Sequence, residues 1–170
     1  PYSVTKFDDA RMRAALESLA ARFQPELLYI CNLPMAAYVT GRRSRELPCF
    51  VEAHNVEHRV WADHVPVVPH ALRPFLHAER RALYRYELAV WRSARGIITI
   101  CEEDATIIRG LVQSHPPVVV VRPAYPFDTP IARSVPSSSA VGILGTWSWP
   151  PNRISLRWFG DEILPRLRKL

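Results

Sequence analysis

Between Cys49 and His58 the chain reads Cys-Phe-Val-Glu-Ala-His-Asn-Val-Glu-His, a stretch that supports two incompatible chemistries. As letters, His54-x-x-Glu57-His58 matches the inverted zinc-protease signature, two histidines with an acid between them. A metal site of that kind needs helix across the whole motif, so that both imidazoles share one face a turn apart. It also needs a third protein ligand; Glu79 and Glu87 are available, and the pattern selects neither. In context, Pro48 is followed by an apolar, strand-forming run that stops abruptly at His54. That is how a parallel α/β sheet delivers a polar side chain to its carboxyl edge. The local pattern favours strand, with Glu57 and His58 orienting the following loop or capping the next helix.

The elements that must position His54 follow from the flanking pattern. Asp8 or Asp9 can cap a helix running to about Phe23, with Ala15, Leu16, Leu19 and Ala20 on its inner side. Gln24-Pro25 ends it, Leu27–Cys31 reads as a short apolar strand, and Pro34 opens a helix towards Val39. Gly41–Glu46 is a polar turn into the strand Cys49–Ala53. After His54 comes a proline-containing loop, Val65–His70, and a long helix from about Leu72 to Ser93 with Leu76, Leu83 and Val90 on its inner stripe. Arg85 and Glu87 are expected to make structural pairs on it, Glu87 through a salt bridge to a neighbouring arginine. Gly96 should end that helix, Ile97–Ile100 should be the next strand, and Glu102, Glu103 and Asp104 suit the positive end of the helix that follows. Pro116-Pro117 stops it, and Val118–Val121 reads as a fourth buried strand. Repeated strand–helix–strand alternation predicts a Rossmann-like α/β fold, a parallel sheet with helices on both faces.

From Arg122 the composition shifts to prolines and the run Ser137-Ser-Ser, as in a linker. Ala140–Gly145 is then a fresh strand, followed by Thr146-Trp-Ser-Trp-Pro-Pro and a helix capped by Asn152. Strand, glycine, loop and helix N-terminus can hold a phosphate, although close strand–helix packing explains Gly142-x-x-Gly145 equally well. The expected organisation is a partial first domain over 1–122, a linker over 123–139, and the first strand–helix unit of a second Rossmann-like domain over 140–170.

The chain has 170 residues with 48% hydrophobic and 22% charged, an ordinary globular composition. No apolar run approaches the roughly 20 residues that cross a bilayer. Cys31, Cys49 and Cys101 are odd in number and lie in or beside apolar strands, the pattern of buried free thiols in a reducing cytosol. The net charge of +6 is concentrated in Arg73, Arg80, Arg81, Arg85, Arg92 and Arg95 and in Arg153, Arg157, Arg166, Arg168 and Lys169. Such a surface could be a plain solvated helix face, or could attract anionic lipid or sugar nucleotides. Zinc-finger spacing and RNP-like strands are missing, so nucleic acid is not an expected partner.

Several phrases together resemble the retaining glycosyltransferases of family 4, which have the two-domain GT-B fold, and most closely the bacterial sugar transferases of exopolysaccharide clusters. They are Gln24-Pro-Glu-Leu-Leu-Tyr-Ile, His54-Asn-Val-Glu57, Arg85-Tyr-Glu87, Thr99-Ile-Cys-Glu-Glu-Asp104 and Val118–Val121. The most specific are Gly142-Ile-Leu-Gly-Thr-Trp-Ser-Trp-Pro-Pro-Asn152 and Trp158-Phe-Gly-Asp-Glu-Ile-Leu-Pro165. The resemblance implies an acceptor-side domain and a nucleotide-sugar-binding domain facing across a cleft. His54 matches the strand-end histidine that reaches the transferred sugar, with Asn55 and Glu57 as further substrate-binding residues. Gly145 and Thr146 match positions near the donor phosphates. The nucleotide sugar is then a substrate and not a cofactor, the acceptor is a glycan or is lipid-linked, and no residue pattern here requires a metal. The implied location is cytoplasmic, peripheral to the inner membrane face.

The chain also departs from the pattern. Arg122-Pro-Ala-Tyr stands where Asn-Gly-Val is usual, and Cys101 where serine is common. The family's glycine-rich amino-terminal loop and its Glu-x7-Glu motif are not in these residues, so the chain is expected to be a fragment that transfers no sugar alone. Two rival readings remain: a non-catalytic Rossmann-like binding module, and a zinc hydrolase built on His54, Glu57 and His58.

Overall fold

A computed structural model describes residues 1–39, 47–65, 68–113, 115–124, 141–148 and 150–169. The chain divides into two compact units, Pro1–Tyr125 and Pro126–Leu170. Gly41–Glu46, Trp149 and nearly all of the expected linker lie outside the described residues.

The first unit opens with α1 (Tyr2–Thr5) and α2 (Ala10–Phe23), and then builds a sheet from β1 (Leu28–Ile30), β2 (Cys49–Ala53), β3 (Gly96–Thr99) and β4 (Val118–Val120). The strands pair in sequence order and every pair is parallel. A 3-10 turn, Leu33–Tyr38, follows β1. Next, α3 (Glu57–His64) and α4 (Arg73–Ser93) join β2 to β3, and α5 (Glu102–Val112) joins β3 to β4. The register sets Ile30, Val51, Ile97 and Val118 side by side. This row faces Trp91 and Ala94 from the α4 end and Ile108 and Val112 of α5 in one core. Fully burying each large apolar side chain of this kind contributes about 1.5–3 kcal/mol.

Cover on both faces was expected, and the described burial lies on one. Strands that follow sequence order with right-handed crossovers return every connection over the same face. The alternate row is open at its outer strands, where Tyr29 is 48% and Val119 51% exposed, and half-buried at Phe50 and Ile98 between them. β4 is therefore an exposed edge strand and not a fourth buried one. α2 starts at its Asp9 cap, as expected, with the carboxylate accepting from Arg11 N–H at 2.7 Å. None of its residues is buried, however: of the inner side assigned to Ala15, Leu16, Leu19 and Ala20, the first three are exposed and Ala20 is half-buried. Cys31 is exposed and the other two thiols are half-buried; all three are free.

The helix α4 differs from its sequence pattern in one further respect. Its deepest row is Glu79, Leu83, Glu87 and Trp91, with Leu76 and Val90 only partly buried. Among the described residues Glu87 forms no arginine pair; both glutamates face inward and bind backbone amides of other helices. Gly96 does not cap α4 either, because Ala94 holds that position in extended geometry. Gly96 is the first residue of β3, opposite Phe50, and a Cβ there would meet Phe50 Cδ1 at 3.0 Å.

In the second unit α6 (Pro150–Trp158) runs through a π-helical turn, Phe159–Ile163, into α7 (Leu164–Leu167). Pro165 lacks the N–H that would continue the ladder, which accounts for the widened turn before it. Residues 141–146 form no strand, because the described part of this unit offers no neighbour to pair with. Asn152 lies inside α6 and is not its cap; its amide reaches back to donate to the Thr146 carbonyl at 3.1 Å.

Replacing Gly96 by Val should destabilise the first unit by about 1–3 kcal/mol, since the Phe50 ring must leave its place. Adding Phe50→Leu should return part of that loss in urea denaturation. An unchanged midpoint for Gly96→Val would show that the ring turns aside freely.

Candidate functional site

β2 is placed by its apolar alternation and ends at Ala53; His54 and Asn55 bend away, and α3 starts only at Glu57. The two imidazoles therefore do not share a helix face, and the helix demanded by the zinc reading does not form. Among the described residues no group of three or more His, Cys, Asp or Glu side chains could hold a metal ion.

The start of α3 explains the position of His58. Its cap residue, Val56, has no side-chain acceptor, so the first amides of the helix need one from elsewhere. Glu87 of α4 supplies it: Glu57 N–H donates to Oε1 at 2.7 Å and His58 N–H to Oε2 at 3.0 Å. The same Oε2 lies 2.6 Å from His58 Nδ1, and the His58 ring meets Tyr84 edge-on at 4.9 Å. Burial pushes the Glu87 carboxyl up to about 7, opposed by the two amides and reinforced by the charges of Glu57 and Asp104. Burial, with Arg59 and Arg80 nearby, lowers His58. Up to about pH 7 a single proton is shared between Glu87 Oε2 and His58 Nδ1, in place of the two charges of a full ion pair.

His54 belongs to a second polar array. Glu52 and His54 are two residues apart at the end of β2, and Glu52 Oε1 lies 3.1 Å from His54 Nε2. Glu52 Oε2 accepts from Tyr29 Oη at 2.8 Å across β1, and that bond raises the phenol's pKa. The His54 side chain is 44% exposed, so the ring is held from one side and open on the other. Asn55 hydrogen-bonds the Glu57 side chain; burial raises Glu57 and this bond opposes the shift.

His54, Asn55 and Glu57 thus come together at the carboxyl edge, around a small pocket that also includes Glu52, Glu87 and Trp91. Gly145 and Thr146 are exposed residues of the second unit, on the segment leading to α6. Glu52, Glu87 and Trp91 were not singled out as site residues from sequence. For Glu52 a signal existed, since strand alternation places it on the same side as His54. For Glu87 and Trp91 none did, because a helix stripe does not announce which loop it faces.

The unfolded values are 6.5 for His58 and 4.5 for Glu87. Glu87 keeps its proton to higher pH when folded, so its stabilising contribution is lost as pH rises from about 4.5 to about 7. His58 holds its proton less well when folded, so its contribution is lost as pH falls below 6.5. The two slopes oppose, so wild-type stability should change less with pH below neutrality than that of a variant keeping only one of the two groups. In Glu87→Gln stability should fall on acidification, and in His58→Asn it should fall as pH rises. Denaturation at a series of pH values reads both; slopes of the same sign would exclude the shared-proton pair.

Compared with protein families, curated proteins and solved structures, the chain matches none.

Proposed function

We propose that the chain is the acceptor-side part, with the beginning of the donor-binding domain, of a retaining, nucleotide-sugar-dependent glycosyltransferase of GT-B type acting in exopolysaccharide or other glycoconjugate synthesis. The observation that carries this reading is His54 at the carboxyl edge of a parallel sheet, half-open and held by Glu52. Ligands of open α/β sheets bind at that edge. The resemblance of His54-Asn-Val-Glu57 and Gly142–Asn152 to family 4 motifs supports the same class.

In this reading Glu52 positions the imidazole through Nε2, and Nδ1 remains for a sugar hydroxyl. Asn55 and Glu57 border the same edge and would bind substrate hydroxyls. Gly145 and Thr146 would lie near the donor diphosphate, beside the N-terminal end of α6. The chemistry needs charge on the departing diphosphate to be stabilised as an oxocarbenium-like sugar forms. The exposed Arg81, Arg85 and Arg92 of α4 would hold the protein at an anionic membrane surface carrying a lipid-linked acceptor. None of the described helices is long and apolar enough to cross a membrane.

The test uses the open reading frame containing this chain at its full length, assayed for transfer from a panel of nucleotide sugars. His54→Ala should lower turnover by about 10²–10³-fold, and Glu52→Gln by a smaller factor with the fold intact. No turnover and no saturable binding across the panel would remove the proposal. Binding to phosphatidylglycerol vesicles should weaken as NaCl is raised; binding indifferent to salt would count against the electrostatic membrane contact.

A further inference from the structure

Glu87 and Trp91 lie one turn apart on the buried row of α4, and both border the pocket bounded by Asn32, His54, Asn55 and Glu57. Trp91 is 1% exposed, and its indole Nε1–H has no acceptor among the described residues. A buried donor left in that state is costly, and native interiors rarely keep one. The pocket that the residue Trp91 lines has a volume of about 10 Å³, close to the roughly 10–15 Å³ that a single water oxygen requires.

The pocket's lining selects the chemistry of its occupant. Glu52, Glu57 and Glu87 contribute carboxyl groups, and no Lys or Arg is among the lining residues, so an anion would be repelled. A metal cation cannot accept from the indole. A bare carbonyl oxygen could accept from Trp91, but would turn its other lone pair towards the carboxylates. A hydroxyl satisfies both sides, because its oxygen accepts one hydrogen bond while its proton donates another.

We infer that this pocket binds one hydroxyl group, its oxygen accepting from Trp91 Nε1–H and its proton donated to a carboxylate of the lining, Glu57 or Glu87. The hydroxyl comes either from a buried water or from a polyol substrate reaching in beneath His54. The water form holds whatever reaction the protein performs. The polyol form names the substrate class of the proposed transferase site and rests on that reading.

The test is nuclear Overhauser spectroscopy on the indole Hε1 of Trp91 in the intact chain, with glycerol and then methyl glycosides as probes. A direct, long-lived cross-peak to water that no probe displaces assigns the site to a buried water. A cross-peak replaced saturably by a probe assigns it to a substrate hydroxyl. Either outcome supports the hydroxyl site, and only the second bears on the transferase reading. An indole proton with no water or probe cross-peak, at the chemical shift of an unbonded N–H, overturns it. Trp91→Phe gives a second measurement, since it deletes the donor while keeping an aromatic ring. Its melting temperature should fall further in wild type than in a Glu57→Gln, Glu87→Gln background, where the acceptors of the hydroxyl proton are already weakened. Equal losses in the two backgrounds would also overturn it.

Discussion

The first unit depends on two carboxylates buried on one helix. Glu79 and Glu87 sit two turns apart on α4, and each accepts the leading amides of another helix. Tyr2 and Ser3 N–H donate to Glu79 at 2.9 and 2.8 Å, and Glu57 and His58 N–H donate to Glu87. The cap residues of α1 and α3 are Pro1 and Val56, neither of which makes a side-chain cap of its own. A missing N-cap costs about 1 kcal/mol, while an unpaired buried charge costs far more. Donors without acceptors and carboxylates without donors are thus satisfied together, so that α4, α1 and α3 hold one another in place.

The two carboxylates are nonetheless not equivalent. Burial raises Glu79, but the Tyr2 and Ser3 bonds outweigh it and leave the group below its ordinary value. At Glu87 burial wins, because the site is deeper and two other acids, Glu57 and Asp104, act on it. The carboxylate that titrates near neutrality is the one beneath the His54 bend. Depth of burial first, and neighbouring acids after it, separates a fixed cap from a responsive one of the same residue type.

Monotonic strand order has a second consequence. With all connections returned over one face, Glu52 and Tyr29 lie on the open side of the sheet, where a hydrogen-bonded pair is tolerated without burial of charge. His54 extends that pair to the carboxyl edge. The site therefore combines a solvent-facing array, Tyr29–Glu52–His54, with an inward one, His58–Glu87, joined through the short bend at His54 and Asn55.

The sequence by itself determined the parallel α/β class, all four strand positions to within two residues, the Asp9 cap and the acidic opening of α5. Each of these depends on local alternation, a proline stop or a capping preference within a few residues. It also placed His54 at a strand end, since an apolar run terminated by a polar residue is a local signal. Only the tertiary structure decided that Glu79 and Glu87 point inward. Their partners are amides far away in the chain, which no local periodicity encodes. The same holds for Gly96, whose need is set by a ring on the neighbouring strand, and for the sheet's uncovered face, which follows from strand order. The strand expected over Ala140–Gly145 does not form over its described residues, 141–145, for the converse reason: local propensity was present, but a strand exists only where another strand pairs with it, and the described part of the unit offers none.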